Sequence, residues 1–430
     1  MATLETPDSI RKLQRALYQR AKNDPRFRAY ALYDKVYRPD ILAHAYALVK
    51  ANGGAPGPDA CTFAEIEANG RERLLEELRD ELQTKTYRPG PVRRVYIPKL
   101  SGGERPLGIP NIRDRVVQMA AKLLLEPLFE ADFTPDSYGF RPKRDAHQAL
   151  DAIRKALHDG MYWVIDADVQ AYFDTIPHDR LMKTVAERVV DGAMLALVKR
   201  FLEACIVDDR DGGRPKRPRQ GTPQGGVISP LLANVYLHLL DRNFRLHATR
   251  GELRGRLVRY ADDFVLLTAA RPDRELAWIR RVMTRLGLTL HGEKTRVLDA
   301  RRTTFVFLGH THRWQFQRLY LDVAPKAQRR IRDELRRKTR VTGLSLPALT
   351  ADLNPYIRGA RRYYHRVRRR TLDKLDRFVE GRVARWWARK HAHRRPAWSL
   401  VQRGALWRQH GLERWYIPGA LPPPDSRLAR

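Results

Sequence analysis

Two groups of aspartates, each placed where an apolar segment ends, constrain this chain more than any other feature. Asp262 and Asp263 lie between residues 256–260 and 264–268, whose composition predicts two strands joined by a tight turn. A third apolar segment, residues 162–165, runs into Asp168 and its neighbours. Buried unpaired carboxylates are costly, so a fold that brings these strands together needs cations among them.

Coordination of divalent metal ions would remove that cost, because carboxylate oxygens are the ligands that Mg²⁺ prefers. Asp168, Asp262 and Asp263 on neighbouring strands could hold two Mg²⁺ ions about 3.5–4 Å apart, one activating an attacking hydroxyl and one holding a leaving pyrophosphate. An Asp-Asp pair alone is more often a polar hairpin turn, and the second acid-bearing strand is what favours metal. The predicted cofactor is two Mg²⁺ ions, with Mn²⁺ as the alternative.

The charge balance of the chain predicts a polyanionic partner. Its 82 lysines and arginines exceed its 49 acids, which gives the 430 residues a net charge of +33. Nucleic acid is the predicted partner and a membrane surface is the rival, although no apolar run approaches the roughly 18 residues of a spanning helix. Cys61 and Cys205 form no zinc or disulfide pattern, and Glu5 and Asp8 argue against a targeting peptide. We therefore expect a cytoplasmic protein that makes no membrane contact.

The order of patterns along the chain predicts an α+β fold in three parts. Residues 1–85 have a helical pattern. Residues 86–320 mix strands and helices, with a β-hairpin across residues 91–109, a helix over 112–129 and another hairpin over 256–268. Residues 321–430 are basic and mostly helical, and they carry most of the positive excess.

The basic C-terminal part predicts a nucleic-acid surface. Asn354 and Pro355 have the pattern of an N-cap followed by the first helical residue, which predicts a helix to about residue 370 and a second helix from Thr371. Each helix has an apolar face, and arginines lie largely outside it. Arginine is usually a solvated surface residue, but this density favours contact with a phosphate backbone. The predicted RNA-binding residues are Arg358, Arg361, Arg362, Arg377, Arg382, Arg385 and Arg389.

Several motifs resemble those of reverse transcriptases. Tyr260-Ala261-Asp262-Asp263 resembles their YxDD hairpin, and Asp168 matches the first metal-binding aspartate of a D-x-x-x-x-[FY] motif. Segments at residues 93–110, 137–142, 220–226, 229–234 and 307–309 are similar, in the same order, to the group II intron reverse transcriptase/maturase family. The resemblance implies a right-hand polymerase, with fingers and an antiparallel palm sheet over residues 86–320, preceded by a helical extension of the fingers. It also implies an α-helical thumb and maturase domain over 321–430.

The same resemblance implies roles for single residues. Phe173 matches the side chain that packs against the incoming sugar and excludes a 2′-hydroxyl; the alternative is an ordinary core residue. Lys99 and Arg105 match a basic pair that holds the triphosphate, as opposed to solvated surface cations. Gln224 matches the position beside the nascent base pair, and Lys294 the lysine proposed to protonate pyrophosphate, although a plain helix-end lysine fits nearly as well. Ser229 and Pro230 are predicted to be the N-cap and first residue of a helix.

The function implied is RNA-directed DNA polymerisation: addition of dNTPs to a primer 3′-hydroxyl on an RNA template. The implied partners are a group II intron RNA, whose splicing and retrohoming the protein assists, a DNA primer or target, and dNTPs. We expect it in the bacterial cytoplasm, at the nucleoid during integration, without an HNH endonuclease domain and as a monomer or a dimer. Two alternatives stay open: a domesticated reverse transcriptase in antiviral defence or CRISPR spacer acquisition, and an RNA-binding splicing cofactor without catalysis.

Overall fold

A computed structural model describes residues 4–98, 103–392 and 405–416. The chain divides into two compact units, Met1–Val297 and Leu298–Arg430. Helices and several small sheets alternate, so the fold is of the mixed α+β class, as the sequence predicts.

The first unit is built on a largely helical framework. Its helices are, in chain order, α1 (Asp8–Asn23), α2 (Tyr33–Val36), α3 (Pro39–Asn52), α4 (Phe63–Asn69), α5 (Arg71–Gln83), α6 (Ile112–Glu130), α7 (Ala146–His158), α8 (Tyr172–Thr175), α9 (His178–Ala186), α10 (Gly192–Leu202), α11 (Ser229–Thr249) and α12 (Asp273–Leu286), with a 3₁₀ turn at Asp209–Asp211. Its strands are β1 (Val92–Pro98), β2 (Glu104–Ile109), β3 (Trp163–Ala167), β4 (Ile206–Val207), β5 (Arg256–Tyr260) and β6 (Asp263–Thr268).

Helix α6 is the centre of the first unit's core. Most of its residues are buried, including the polar side chains of Asp114, Arg115 and Gln118. Helices α1 and α3 pack directly against it. The apolar cluster around α6 also includes Ile165 of β3 and Leu266 of β6, so the strands that bear the aspartates are anchored in the same core.

Two sheets in this part of the chain were predicted as hairpins, and both predictions are confirmed. Strands β1 and β2 pair antiparallel, from Arg93 opposite Ile109 to Pro98 opposite Glu104. Strands β5 and β6 pair antiparallel and end with Tyr260 opposite Asp263. Strand β6 also pairs with β3, and β7 (Arg296–Asp299) completes the sheet in the order β5-β6-β3-β7.

The second unit combines a small sheet with helices. Its strands are β8 (Phe305–Phe307), β9 (His310–Gln315) and β10 (Arg318–Val323), and its helices are α13 (Pro325–Lys338), α14 (Leu346–Tyr364), α15 (Arg369–Lys390) and α16 (Ala405–Arg408). The strands pair in the order β10-β9-β8. Helix α13 packs against both α14 and α15, around a core that contains Leu335, Leu353 and Trp386.

The predicted start of the first basic helix is wrong. Helix α14 begins at Leu346, and its N-cap is Ser345, whose side chain accepts a hydrogen bond from the backbone N–H of Ala348. Pro355 lies inside this helix, while the Asn354 side chain donates to the Gly411 carbonyl at 2.9 Å and accepts from the Glu413 N–H at 2.8 Å. Asn354 therefore binds a distant segment instead of capping its own helix.

The N-cap predicted for α11 is also displaced by one residue. Ser229 is already the first residue of the helix, Ile228 precedes it as the cap, and no side chain caps the end. No helix within the described ranges is long and apolar enough to cross a membrane.

Candidate active site

The turn between β5 and β6 presents two adjacent aspartates at the end of a buried hairpin. Val258 and Phe264 anchor the strands in the core, while Asp262 and Asp263 reach solvent. Ala261 has φ of 57°, in the left-handed region that a non-glycine residue adopts only at some cost. The pairing of Tyr260 with Asp263 determines the position of the turn, so that the two carboxylates lie side by side at the end of the hairpin.

Asp168 lies at the end of the neighbouring strand, β3. It directly follows β3, whose Ala167 is paired with Phe264 of β6. Its backbone carbonyl accepts a hydrogen bond from the His291 N–H at 2.8 Å, and its Oδ2 accepts one from Lys294 Nζ at 2.6 Å. The structure thus brings Asp168 and Lys294, which are far apart in sequence, into direct contact.

The pKa values of Asp262 and Asp263 are raised by burial and by the negative charges around them. Loss of hydration, followed by the charges of Asp262, Asp168 and Asp166, raises the pKa of Asp263 to about 7, although its side chain still reaches solvent. Loss of hydration and the charge of Asp168 also raise the pKa of Asp262, against the opposing charge of Arg105. A cluster of oxygen donors that repel one another is the charge pattern that a bound divalent cation relieves.

The donor set fits Mg²⁺ in chemistry, although the side chains do not stand in a finished coordination geometry. Among the described residues, no three His, Cys, Asp or Glu side chains are arranged to hold a metal ion. The ammonium group of Lys294 lies against Asp168, and Arg296 lies 3.5 Å from Asp166. Lys294 thus supplies positive charge beside Asp168, which the sequence assigns to metal, and Arg296 supplies it beside the neighbouring Asp166.

A buried arginine that was not predicted from the sequence, Arg259, donates a hydrogen bond to the backbone of the aspartate turn. The side chain of Arg259 is 1% exposed, and its Nε and Nη2 bond both carboxylate oxygens of Asp241 at 2.5–3.0 Å. Its Nη1 donates to Asn234 Oδ1 at 2.9 Å and to the Ala261 carbonyl at 2.8 Å. Asp241 and Asn234 both lie on α11, so Arg259 ties the turn to that helix. The available signal was an arginine between the apolar Val258 and the Tyr260 of the aspartate hairpin.

A glycine of the segment at residues 137–142 completes this support. Asn234 Nδ2 donates to the Gly139 carbonyl at 2.7 Å. A Cβ placed on Gly139 would lie 2.4 Å from the Ala261 backbone nitrogen, so no larger residue fits there without movement. The close approach explains why glycine stands at this position.

Two of the predicted substrate residues, Phe173 and Gln224, are connected through the loop at residues 220–226, which packs on the β1–β2 hairpin. Phe173 is half-buried and packs edge-to-face with Tyr172 at 5.6 Å between ring centroids. Its carbonyl accepts a hydrogen bond from the Thr222 N–H, and the Gln224 carbonyl accepts one from the Gly108 N–H on β2. The loop that carries Gln224 thus joins the element after Asp168 to the hairpin.

Of the two residues predicted to bind the triphosphate, the structure describes only Arg105. Arg105 is exposed on β2, and its positive charge opposes the rise in the pKa of Asp262 and of Asp263. Lys99 lies outside the described residues. A cavity of about 400 Å³ beside the hairpin is lined by Arg94, Asp208 and the basic residues of the segment 216–219.

The arginines predicted to bind RNA fall into two groups. Arg358 and Arg361 lie 3.8 and 2.7 Å from Glu413, Arg382 donates to Thr339 Oγ1 at 2.9 Å, and Arg389 donates to the Thr339 carbonyl at 2.5 Å. The others lie exposed on α14 and α15: Arg362, Arg377 and Arg385. The arginines of the first group thus contact other residues of the second unit.

Two parts of the chain match known protein families. Residues 97–312 match the family described as "Reverse transcriptase (RNA-dependent DNA polymerase)", and residues 328–404 match "Group II intron, maturase-specific domain". The chain is 37% identical over 338 residues to Protein YkfC of Escherichia coli (strain K12), across 70% of this chain and 87% of that protein.

Two further similarities are more partial. The group II intron-encoded protein LtrA of Lactococcus lactis subsp. cremoris is 37% identical over 213 residues, which are 49% of this chain and 34% of LtrA. A solved structure, the "Partial Cas6-RT-Cas1--Cas2 complex", aligns with a TM-score of 0.35 and 20% identity over 60% of this chain and 43% of that one. From the two domain matches and the similarity to YkfC, the chain belongs to the group II intron reverse transcriptase/maturase family, whose polymerase domain implies RNA-directed DNA polymerase activity.

Proposed function

We propose that the chain extends a primer 3′-hydroxyl with deoxynucleotides on an RNA template, and that it binds its own group II intron RNA to assist splicing and retrohoming. The observation that carries the polymerase proposal is the convergence of Asp168, Asp262 and Asp263 from adjacent strands of one sheet. The match to the maturase-specific domain supports the intron RNA as partner.

The proposed roles of the residues combine the resemblance of the motifs with the positions of the described side chains. Asp168, Asp262 and Asp263 hold divalent cations, with two Mg²⁺ ions as the expected occupants. The chemistry that such ions supply is activation of the attacking hydroxyl and stabilisation of the leaving pyrophosphate. Arg105, with Lys99, binds the triphosphate, since arginine and lysine pair with phosphate as a planar fork and as a point charge.

The remaining site residues orient the substrate. Phe173 packs beside the incoming sugar and excludes a 2′-hydroxyl, while Gln224 lies beside the new base pair. Lys294 is near the carboxylates, bonded to Asp168 at 2.6 Å, and delivers a proton to pyrophosphate. In right-hand terms, residues 1–85 extend the fingers, residues 86–320 form fingers and palm, and residues 321–430 form the thumb and maturase domain.

Primer extension with a metal-ligand variant tests the polymerase proposal. Asp262→Ala should abolish DNA synthesis on an RNA template while leaving RNA affinity close to that of the wild type. The matched control is Asp273→Asn at an exposed carboxylate in the first turn of α12, paired with Arg271 at 3.2 Å, which should extend normally. Persistent synthesis by Asp262→Ala would refute the assignment.

Sequencing of bound RNA tests the proposed partner. The protein is expressed together with the genomic DNA that flanks its gene, purified at high salt, and its RNA is sequenced. A long structured RNA that contains or flanks the gene is the expected result. A short unrelated transcript would point instead to a domesticated reverse transcriptase and leave only the polymerase proposal standing.

A further inference from the structure

The hairpin of β9 and β10 ends in an aromatic residue that packs against little else. Phe316 is 82% exposed, more than any other large hydrophobic residue among those that the structure describes. Gln315 pairs with Arg318, so Phe316 and Gln317 alone form the loop. A single exposed apolar side chain is common on protein surfaces, so the exposure of Phe316 becomes informative only together with the conformation of its backbone.

The backbone at the tip makes the residue choice more unusual. Both loop residues have positive φ, 51° at Phe316 and 58° at Gln317, as in the two-residue turns that favour asparagine, aspartate and glycine. A bulky residue in this region is strained. Neither the backbone nor the packing of the folded chain therefore favours phenylalanine at position 316, and strain of this kind is typical of functional positions.

The hairpin that carries the ring is held by packing on one face and by hydrogen bonds at its base. One face is packed: His312 is buried and stacks on Phe305 at 4.6 Å with the rings 10° from parallel, and Trp314 is buried beside it. At its base, Asp322 accepts hydrogen bonds from Arg368 and from Thr371 Oγ1. The ring is thus presented on a fixed ribbon, and little conformational entropy is lost when a partner covers it.

The outer face of the ribbon is basic. Arg313 and Arg318 are exposed there, Arg318 opposite Gln315 and Arg313 opposite Tyr320. Neither arginine forms an ion pair within the described part of the chain, and the one acid of the hairpin, Asp322, is engaged at its base. An aromatic tip flanked by free guanidinium groups fits a nucleobase whose adjoining phosphates contact the arginines.

We propose that the β9–β10 hairpin is a nucleic-acid contact in which Phe316 stacks on a base, while Arg313 and Arg318 bind the phosphate backbone beside it. This inference rests on the proposed RNA-binding function and adds a specific site to it. Two sources of the base share this chemistry: an unpaired base of a structured RNA, and a base step at the end or in the groove of a template–primer duplex.

The sharpest test uses Phe316→Asn, because asparagine suits the turn while it removes the ring. The melting temperature should stay the same or rise, since strain is relieved. The affinity should fall by about 5- to 150-fold, the range expected for loss of one stacked base. Phe316→Leu, which keeps an apolar tip without an aromatic face, should weaken binding in the same direction.

Gln317→Gly is the matched control, since it relieves the neighbouring positive φ and leaves the ring in place; its affinity should match the wild type. Binding is measured by fluorescence anisotropy with a labelled RNA hairpin that has an unpaired loop, a fully paired RNA duplex, and an RNA–DNA template–primer. A loss confined to the looped RNA assigns an unpaired base, and a loss on the paired probes assigns a base step. Both results support stacking.

Equal affinity of Phe316→Asn and the wild type for all three probes would overturn the inference. Primer extension by the wild-type protein, measured in the same preparation, separates this outcome from failure of the proposed function. A wild type that binds and extends, with an unimpaired Phe316→Asn, refutes only the stacking site. A wild type that binds none of the probes refutes the proposed function and the inference with it.

Discussion

Arg259 bonds the turn that carries Asp262 and Asp263 to helix α11, and its loss should affect stability and the proposed catalysis to different degrees. Arg259→Ala leaves the buried carboxylate of Asp241 unpaired, so we expect the free energy of unfolding to fall by about 3–5 kcal/mol. Arg259→Lys keeps a charge near Asp241 but lacks the fork that also reaches Asn234 and the Ala261 carbonyl. Its loss of stability should be smaller, while kcat for primer extension falls and the KM for dNTP changes little.

Arg256 on the same strand provides the control for this pair of variants. It is only partly buried, and it pairs with Asp136 at 2.6 Å, away from the turn. Arg256→Lys should therefore leave kcat near the wild-type value. A single-turnover rate for Arg259→Lys equal to that of the wild type would mean that Arg259 stabilises the fold without positioning the aspartates.

Phe173 should control which sugar the enzyme accepts. Phe173→Ala removes the half-buried ring that packs edge-to-face on Tyr172, and under the proposed function it opens the space that excludes a 2′-hydroxyl. We expect incorporation of ribonucleotides to rise relative to deoxynucleotides, as measured by the ratio of kcat/KM for a matched rNTP and dNTP. An unchanged ratio with a lower melting temperature would identify Phe173 as an ordinary core residue.

At the scale of elements, the sequence predicted those structures that depend on residues close together in the chain. The hairpins at β1–β2 and β5–β6 were predictable because their apolar residues and turns are local. The start of α14 was not, because Pro355 is tolerated inside the helix and Asn354 is committed to a segment almost sixty residues away. The role of Arg259 was not predicted for the same reason. Its partner Asp241 lies on helix α11, and a buried arginine is tolerated only where the tertiary fold pairs its charge.

The buried acids of α15 predict an unusual pH dependence. Loss of hydration and the nearby Asp376 raise the pKa of Glu380 to about 7, against the opposing charges of Arg414 and Arg377. Because the folded pKa exceeds the ordinary value of 4.5, Glu380 ionises more readily in the unfolded chain, and stability falls as pH rises from about 4.5 to about 7. Glu380→Gln should therefore raise the free energy of unfolding near pH 8 by about 1–2 kcal/mol and change it little near pH 4.5.

Urea unfolding at the two pH values measures this effect, and Glu334→Gln provides a control of opposite sign. The hydrogen bond from Arg337 lowers the pKa of Glu334, so that carboxylate stabilises the fold above its ordinary pKa and its removal should reduce stability near pH 8. An equal effect of Glu380→Gln at both pH values would show that its ionisation is not coupled to folding.

For the whole molecule, the net charge of +33 predicts that RNA affinity depends steeply on salt, but not every arginine should contribute. Exposed arginines release counterions from the phosphates that they contact, whereas Arg361 is already neutralised by Glu413 at 2.7 Å. The positive excess is therefore divided between residues that hold the second unit together and residues that remain available to RNA. Sequence alone did not separate these groups, because the acid that engages Arg361 lies beyond the helix.

Salt titration of RNA binding distinguishes the two groups. Replacing Arg362, Arg377 and Arg385 by glutamine should lower the slope of log affinity against log salt by about 0.7 for each phosphate of single-stranded RNA that the variant no longer neutralises. Arg361→Gln should leave the slope nearly unchanged. It should instead lower the melting temperature, because it removes the ion pair with Glu413 and the hydrogen bond to the Arg414 carbonyl. If the triple variant kept the wild-type slope, α14 and α15 would not be the RNA surface, and the positive charge that binds RNA would have to lie elsewhere in the chain.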